Sequence, residues 1–188
     1  HLAIVDIVLG VADILPIRGF GYLVPRNATN NSDEILGVIF DSDAVPNQSQ
    51  RLTKLTVMMG GPYWRHRSSF PNEDDVKERA LRALHSQLGL SLLTLTSHLE
   101  NIYARVMTDT IPQYLVGHPQ RMAELKAAIK MHPQWRNRLS LLGYSYGGVG
   151  VNDCIANAMD TCDAICNYEQ NRSPLSDISG LQPALFPG

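Results

Sequence analysis

The chain has 188 residues, enough for a domain with a sizeable core. It is 44% hydrophobic and 18% charged, with a formal net charge of −2, so there is no basic excess to suit nucleic acid or an anionic membrane surface. Cys154, Cys162 and Cys166 crowd one late segment without a C-x-x-C pair or a nearby histidine, which argues against a zinc site and against a secreted disulfide framework.

The chain opens at His1 in an apolar, β-branched run, without Met, and is expected to be a piece of a longer protein. The opening HLAIVDIVLGVADILPI is shorter than the ~20 apolar residues of a spanning helix and carries Asp6 and Asp13. It also lacks the basic start of a signal peptide. Any membrane element is expected in a portion of the protein outside this chain.

Taken in order, residues 1–9 read as a strand and 20–25 as a short extended run ending at Pro25. RNATNNSDE is turn chemistry, rich in Asn, Asp and Ser. Residues 35–40 and 52–59 are two further strands, separated by DSDAVPNQSQ. The connections hold no helix, and parallel pairing needs a crossover of about a dozen residues or more, so these strands are expected to pair antiparallel. Gly60-Gly61-Pro62 ends the meander.

A helix follows. Asn72 is its expected N-cap, Glu73, Asp74 and Asp75 complement the dipole, and Val76, Ala80, Ala83, Leu84 and Leu88 form its apolar face up to Gly89. Residues 98–107 read as another strand. Pro119 opens a second helix with Met122, Leu125 and Ile129 inward. A strand at 139–142, a glycine turn and a helix at about 152–166 come next. The tail from Asn167, rich in Pro, Ser, Gly and Asn, is expected to be mobile. The order predicts an α+β fold: an antiparallel meander, helices, and a last strand–turn–helix unit.

Gly143-Tyr144-Ser145-Tyr146-Gly147 matches G-x-S-x-G, the elbow that carries the serine of α/β-hydrolases. A hydrolase with Ser145 as nucleophile needs a histidine and an acid after the serine, but His1, His66, His85, His98, His118 and His132 all precede it. The parallel strands of such an elbow are also missing from the predicted order. Gly147, Gly148 and Gly150 support another reading. Each glycine in regular structure costs roughly 0.5–1 kcal/mol relative to alanine. A turn this bare suits a flat or anionic ligand against the backbone, with Asn152 or Asp153 capping the next helix. Close packing of that helix on a strand explains the glycines equally well. The spacing is not G-x-G-x-x-G, so the turn is not a Rossmann phosphate loop.

The segment SYGGVGVNDCI, residues 145–155, resembles the C-terminal flavin-contacting segment of protoporphyrinogen oxidases, the FAD enzymes of haem synthesis. GFGYLVPR at 19–26, ILGVIFDS at 35–42 and IPQYLVGH at 111–118 agree in order and approximate spacing, and LTVMMGG at 55–61 fits between them. The resemblance runs from the first strand to about Cys166. It implies a two-domain flavoprotein of the monoamine-oxidase-like class, whose dinucleotide-binding unit lies upstream of this chain. Residues 1–138 would be a portion of the substrate domain, 139–166 a strand–turn–helix returning to the FAD domain, and 167–188 a tail. The implied reaction removes six electrons from protoporphyrinogen IX, giving protoporphyrin IX, with oxygen as acceptor. The implied location is the mitochondrial inner membrane, with membrane association through the rest of the protein, a tetrapyrrole as small-molecule partner, no nucleic acid, and a homodimer among the expected states.

Matched motif by motif, the backbone of Val149, Gly150 and Val151 would run beside the isoalloxazine, and the following helix would point its positive end at the N1–C2=O edge. Val106 matches a position near the flavin. Phe20 matches an aromatic that stacks on a pyrrole ring, with Gly21 allowing close approach. Leu23, Leu36, Ile39 and Met58 match apolar pocket walls. Read from spacing alone, the same residues are alternating strand positions whose packing explains them. No carboxylate, histidine or cysteine is singled out as a general base, as suits hydride transfer to a cofactor. An anchor for a substrate propionate is expected outside this chain, so neither Arg18 nor Arg26 is given that role. The loop YWRHRSSF is read as a solvated connection. The other readings that stay open are the Ser145 hydrolase and a non-catalytic substrate-domain remnant.

Overall fold

Ala3, Val5, Ile7 and Leu9 are buried, and they alternate with Leu2, Ile4, Asp6 and Val8 on the other face of strand β1, Leu2–Leu9. This period of two recurs in the computed structural model, which describes residues 1–45, 51–136 and 138–171. Strands β2 (Gly21–Leu23), β3 (Ile35–Ile39), β4 (Thr53–Gly60) and β5 (Leu99–Met107) complete one sheet in the order β2-β3-β4-β1-β5. Every neighbouring pair is antiparallel, as expected from the short connections. The pairing of β1 with β5 joins Leu2 to Met107 and closes the unit across almost its whole sequence. The chain divides into two compact units, His1–Thr110 and Ile111–Gly188, and the sheet belongs to the first.

One helix covers one face of that sheet. Helix α2, Glu73–Leu88, buries Val76, Ala80, Ala83 and Leu84 in the same cluster as Ala3, Val5, Ile7, Leu55, Val57 and Met59. Its start follows the expected chemistry. The Asn72 side chain accepts the Asp75 amide at 2.9 Å, and the Asp75 carboxylate accepts the Asn72 amide at 3.3 Å, a complete capping box. Gly89 ends the helix at φ 71, a left-handed position suited to glycine. Glu34, itself at φ 61, receives Arg79 at 3.0 Å, the Trp64 indole N–H at 2.9 Å, and Arg67. This charged cluster clamps α2 and the chain after β4 to the start of β3.

Three short elements depart from the sequence reading. Helix α1, Asp41–Ala44, sits in the stretch read as a loop, whose residues 46–50 lie outside the described residues. A 3-10 turn, Gly61–Trp64, follows β4 and buries Trp64. Helix α3, Leu92–Ser97, is capped by Ser91, which accepts the Thr94 amide at 2.9 Å. Each is too short for a periodic apolar face, so the pattern that reveals long helices is missing.

The second unit holds α4, His118–Met131, and α5, Val151–Asn171. Ile129 of α4 is buried and Met122 and Leu125 are half-buried, the face expected for them. Residues 139–142, expected to be a strand, have no strand pairing. The reason is physical: an isolated run has no neighbour to take its N–H and C=O groups, and the unit has no other strand among its described residues. The last element is therefore a turn followed by a helix rather than strand–turn–helix. Residues 167–171, expected to begin a mobile tail, continue α5, and residues 172–188 lie outside the described residues.

Candidate functional site

The residues singled out in the sequence fall into two groups, one in each unit. The first is the sheet face opposite α2. Register puts Leu23 across from Gly37, Gly37 across from Met58, and Met58 across from Ile4. Ile39 pairs with Gly21 on one side and Thr56 on the other. Gly21, Leu23, Ile39 and Met58 thus share one face with Ile4, and none of them belongs to the buried core. The sheet brings together four of the six residues assigned to the substrate. Leu23 is 81% exposed, and its side chain lies over Gly37, where an added Cβ would come within 3.0 Å of it.

The other two are placed differently. Leu36 falls in a register shift between Ile35 and Gly37, and its side chain lies 3.2 Å from where a Gly61 Cβ would stand. Phe20 precedes β2 and is 72% exposed, while its carbonyl accepts the Phe40 amide at 2.9 Å. An exposed aromatic on a backbone pinned by a ladder bond is well suited to stack on a flat ligand. Gly21 has a reason of its own to be glycine. Its φ is 142, and an added Cβ would stand 2.1 Å from the Val38 carbonyl oxygen. Pairing with β3 demands the glycine before any ligand does. Val106 lies on the face toward α2, paired with Ala3 and packed partly buried against the core.

Toward β5 the open face turns polar. The Thr56 hydroxyl lies 2.9 Å from Asp6 Oδ1 and 2.8 Å from Asp41 Oδ2, but its one proton serves only one of them. Burial, and then the charge of Asp6, raise the Asp41 pKa, while the hydrogen bond that Asp41 accepts from Thr56 opposes the shift. Arg18 lines a cavity of about 400 Å³ with Leu15, Ser42 and Thr53, but its guanidinium is already bound by Asp13 and by Asp43 at 2.7 Å. Those two carboxylates offset its positive charge.

The second group is the turn before α5. Val149 and Val151 are 48% and 76% exposed, so apolar side chains flank an accessible Gly150. The first helical bond runs from the Cys154 amide to the Gly150 carbonyl at 3.1 Å, so the amides of Val151 to Asp153 precede the intrahelical ladder. Asp153 supplies the cap: its Oδ2 accepts the Gly150 amide at 3.1 Å. Asn157, buried in α5, donates to the Gly147 carbonyl at 3.1 Å, and Tyr114 accepts the Gly148 amide at 2.8 Å. Sequence reading assigned roles to neither Asn157 nor Tyr114. Tyr114 lies in the quoted IPQYLVGH motif, but a bond spanning 34 residues leaves no local signal.

Ser145 is exposed, and no histidine among the described residues bonds to its hydroxyl. The G-x-S-x-G match lies in a turn with no strand before it, and among the described residues it lacks the geometry of a nucleophile elbow.

Comparison with known proteins identifies the relatives of this arrangement. No protein-family model matches the chain. The protoporphyrinogen oxidase of Schizosaccharomyces pombe is 37% identical over 164 residues, 86% of this chain and 31% of the yeast protein. The chain is a relative of the protoporphyrinogen oxidases. The protoporphyrinogen oxidase of Homo sapiens is 33% identical over 162 residues, 84% of this chain and 32% of its own length. A solved structure from Exiguobacterium sp. 255-15, named "Putative protoporphyrinogen oxidase", superposes with a TM-score of 0.65 at 25% identity, covering 87% of this chain and 34% of that one. The chain thus spans about a third of the length of the protoporphyrinogen oxidases it matches.

Proposed function

We propose that this chain forms the C-terminal part of an FAD-dependent protoporphyrinogen oxidase that converts protoporphyrinogen IX to protoporphyrin IX with oxygen as acceptor. The observation that carries the reading is 37% identity to the Schizosaccharomyces pombe enzyme across 86% of this chain. The geometry supports it. A porphyrinogen is broad and apolar, and the open face bearing Leu23, Ile39 and Met58 offers it half-buried and exposed aliphatic side chains. Phe20 would orient one pyrrole ring by stacking.

The turn at Val149–Val151 fits the edge of a flat ring system, since its flanking side chains are apolar and exposed and it leads into a 21-residue helix. The residues that would meet the flavin are Val149, Gly150 and Val151, with the first-turn amides of α5 facing its electron-rich edge. Asp153 tempers that role, because its carboxylate already caps Gly150 and offsets part of the helix dipole. FAD, when bound, supplies the hydride acceptor. Its phosphates would be held by a dinucleotide-binding unit outside these residues. Val106, on the α2-facing side of β5, would act on the flavin through packing. A mitochondrial inner-membrane location belongs to the same proposal. No helix among the described residues is long and apolar enough to cross a membrane.

The test uses the longer protein proposed to carry this segment. Purified, it should show flavin absorption in the visible and convert colourless protoporphyrinogen IX to fluorescent protoporphyrin IX while consuming oxygen. A protein without flavin bands, or one that leaves the porphyrinogen unchanged, would overturn the reading.

A further inference from the structure

The turn before α5 is held from two sides. From within α5, Asp153 takes the Gly150 amide, Asn157 donates to the Gly147 carbonyl, and Cys154 Sγ lies 3.8 Å from the Gly148 carbonyl. From the segment before α4 comes one side chain. The Tyr114 hydroxyl donates to the Tyr144 carbonyl at 2.5 Å and accepts the Gly148 amide at 2.8 Å. A phenol has one proton and two lone pairs, so both bonds form at once without conflict. They grip the two ends of the stretch Tyr144–Gly148. Gly148 stands at φ 134, a conformation open to glycine and strained for any other residue.

The ring itself is fixed. Tyr114 stacks on His118 with centroids 4.0 Å apart and planes 10° apart. His118 is the first residue of α4, so the stack ties Tyr114 to a helix. The buried His118 Nε2 has no hydrogen-bond partner among the described residues, so the stack on Tyr114 is the contact the structure gives this ring.

We propose that Tyr114 is a positioning residue: its hydroxyl sets the path of the Tyr144–Gly148 backbone and thereby the height at which Val149, Gly150 and Val151 are offered to the flavin. The inference rests on the function proposed above. Tyr114 acts through the turn and touches no reacting atom. The aromatic ring serves stacking, and the hydroxyl alone serves the turn.

The test is Tyr114→Phe in the complete flavoprotein. Phenylalanine keeps the ring and its stack on His118 and removes both turn bonds. The expected result is an FAD Kd raised about ten-fold, the scale of one net hydrogen bond, and an altered visible circular dichroism of the flavin at saturating FAD. A role confined to stability would lower the melting temperature and leave the Kd and the dichroism unchanged, and that result overturns the proposal. Incorporation of 3-fluorotyrosine at position 114 keeps both bonds and serves even where the phenylalanine variant fails to fold. Its fluorine resonance should shift when FAD is added, and a resonance indifferent to FAD overturns the proposal. A complete protein that lacks flavin altogether refutes the function proposed above, and this inference falls with it. Flavin present with the Tyr114 readouts unmoved refutes the inference alone.

Discussion

Asp153 Oδ2 stands 3.1 Å from the Gly150 nitrogen and accepts its proton, so the helix caps its own entry. The same carboxylate fills the space that a side chain at the turn would need. An added Cβ at Gly150 would meet Asp153 Oδ2 at 2.9 Å, and one at Gly148 would meet Asp153 Cβ at 2.6 Å. These glycines therefore have a reason within the chain as well as any reason a ligand provides.

The two positions should respond differently. Gly150→Ala meets the tip of a side chain that can swing away, so its cost should be small and should vanish in an Asp153→Ala background. Gly148→Ala meets the β-carbon that alanine keeps, at φ 134, so it should cost ~1–3 kcal/mol with or without Asp153. Melting of both single variants and both doubles of the complete protein, with and without saturating FAD, checks this. If Gly150→Ala destabilised only the FAD-bound form, the ring rather than Asp153 would occupy that space.

Phe20 is mostly solvent-exposed, so Phe20→Ala in the complete protein should leave stability within about 0.5 kcal/mol. It should lower kcat/KM for the porphyrinogen by roughly one to two orders, through lost stacking and alignment. FAD content should not change. Steady-state kinetics beside a melting curve separate the outcomes, and unaltered kinetics would remove Phe20 from the substrate face.

Tyr22 faces α2, donating to Gln87 Oε1 at 2.9 Å and meeting Phe40 edge-on at 6.0 Å. Burial pushes its phenol up to about 12. The folded state thus holds the proton more tightly than the unfolded chain, whose phenol titrates near 10. The stability this contributes is complete below about pH 10 and is lost as pH rises through about 12. Stability measured across that window should fall, and Tyr22→Phe should flatten the fall. An unchanged slope would mean that the ring, rather than the hydroxyl, is what α2 requires.

Local chemistry made much of the first unit legible. The Asn72 capping box and the Gly89 stop depend on neighbours within a turn, so α2 could be delimited from its letters. The alternation of Ala3, Val5, Ile7 and Leu9, repeated by Leu55, Val57 and Met59, named one buried face, and short connections required antiparallel pairing. Leu23, Ile39 and Met58 were legible as a group through their motifs, and the sheet register is what gathers them on one side.

The sequence by itself determined the α2 boundaries, the strand faces and the family resemblance, because each rests on spacing of a few residues or on motifs read in order. Only the tertiary structure decided the rest. Residues 139–142 have the composition of a strand, yet a strand exists only where another edge takes its hydrogen bonds, and that depends on the whole topology. Likewise β5 finds its partner in β1 at the far end of the unit, a pairing no local pattern encodes. Tyr114 reads as one aromatic among seven tyrosines until the fold carries its hydroxyl to Tyr144 and Gly148. A hydrogen bond is specific within a few tenths of an ångström, and sequence separation carries no record of that distance.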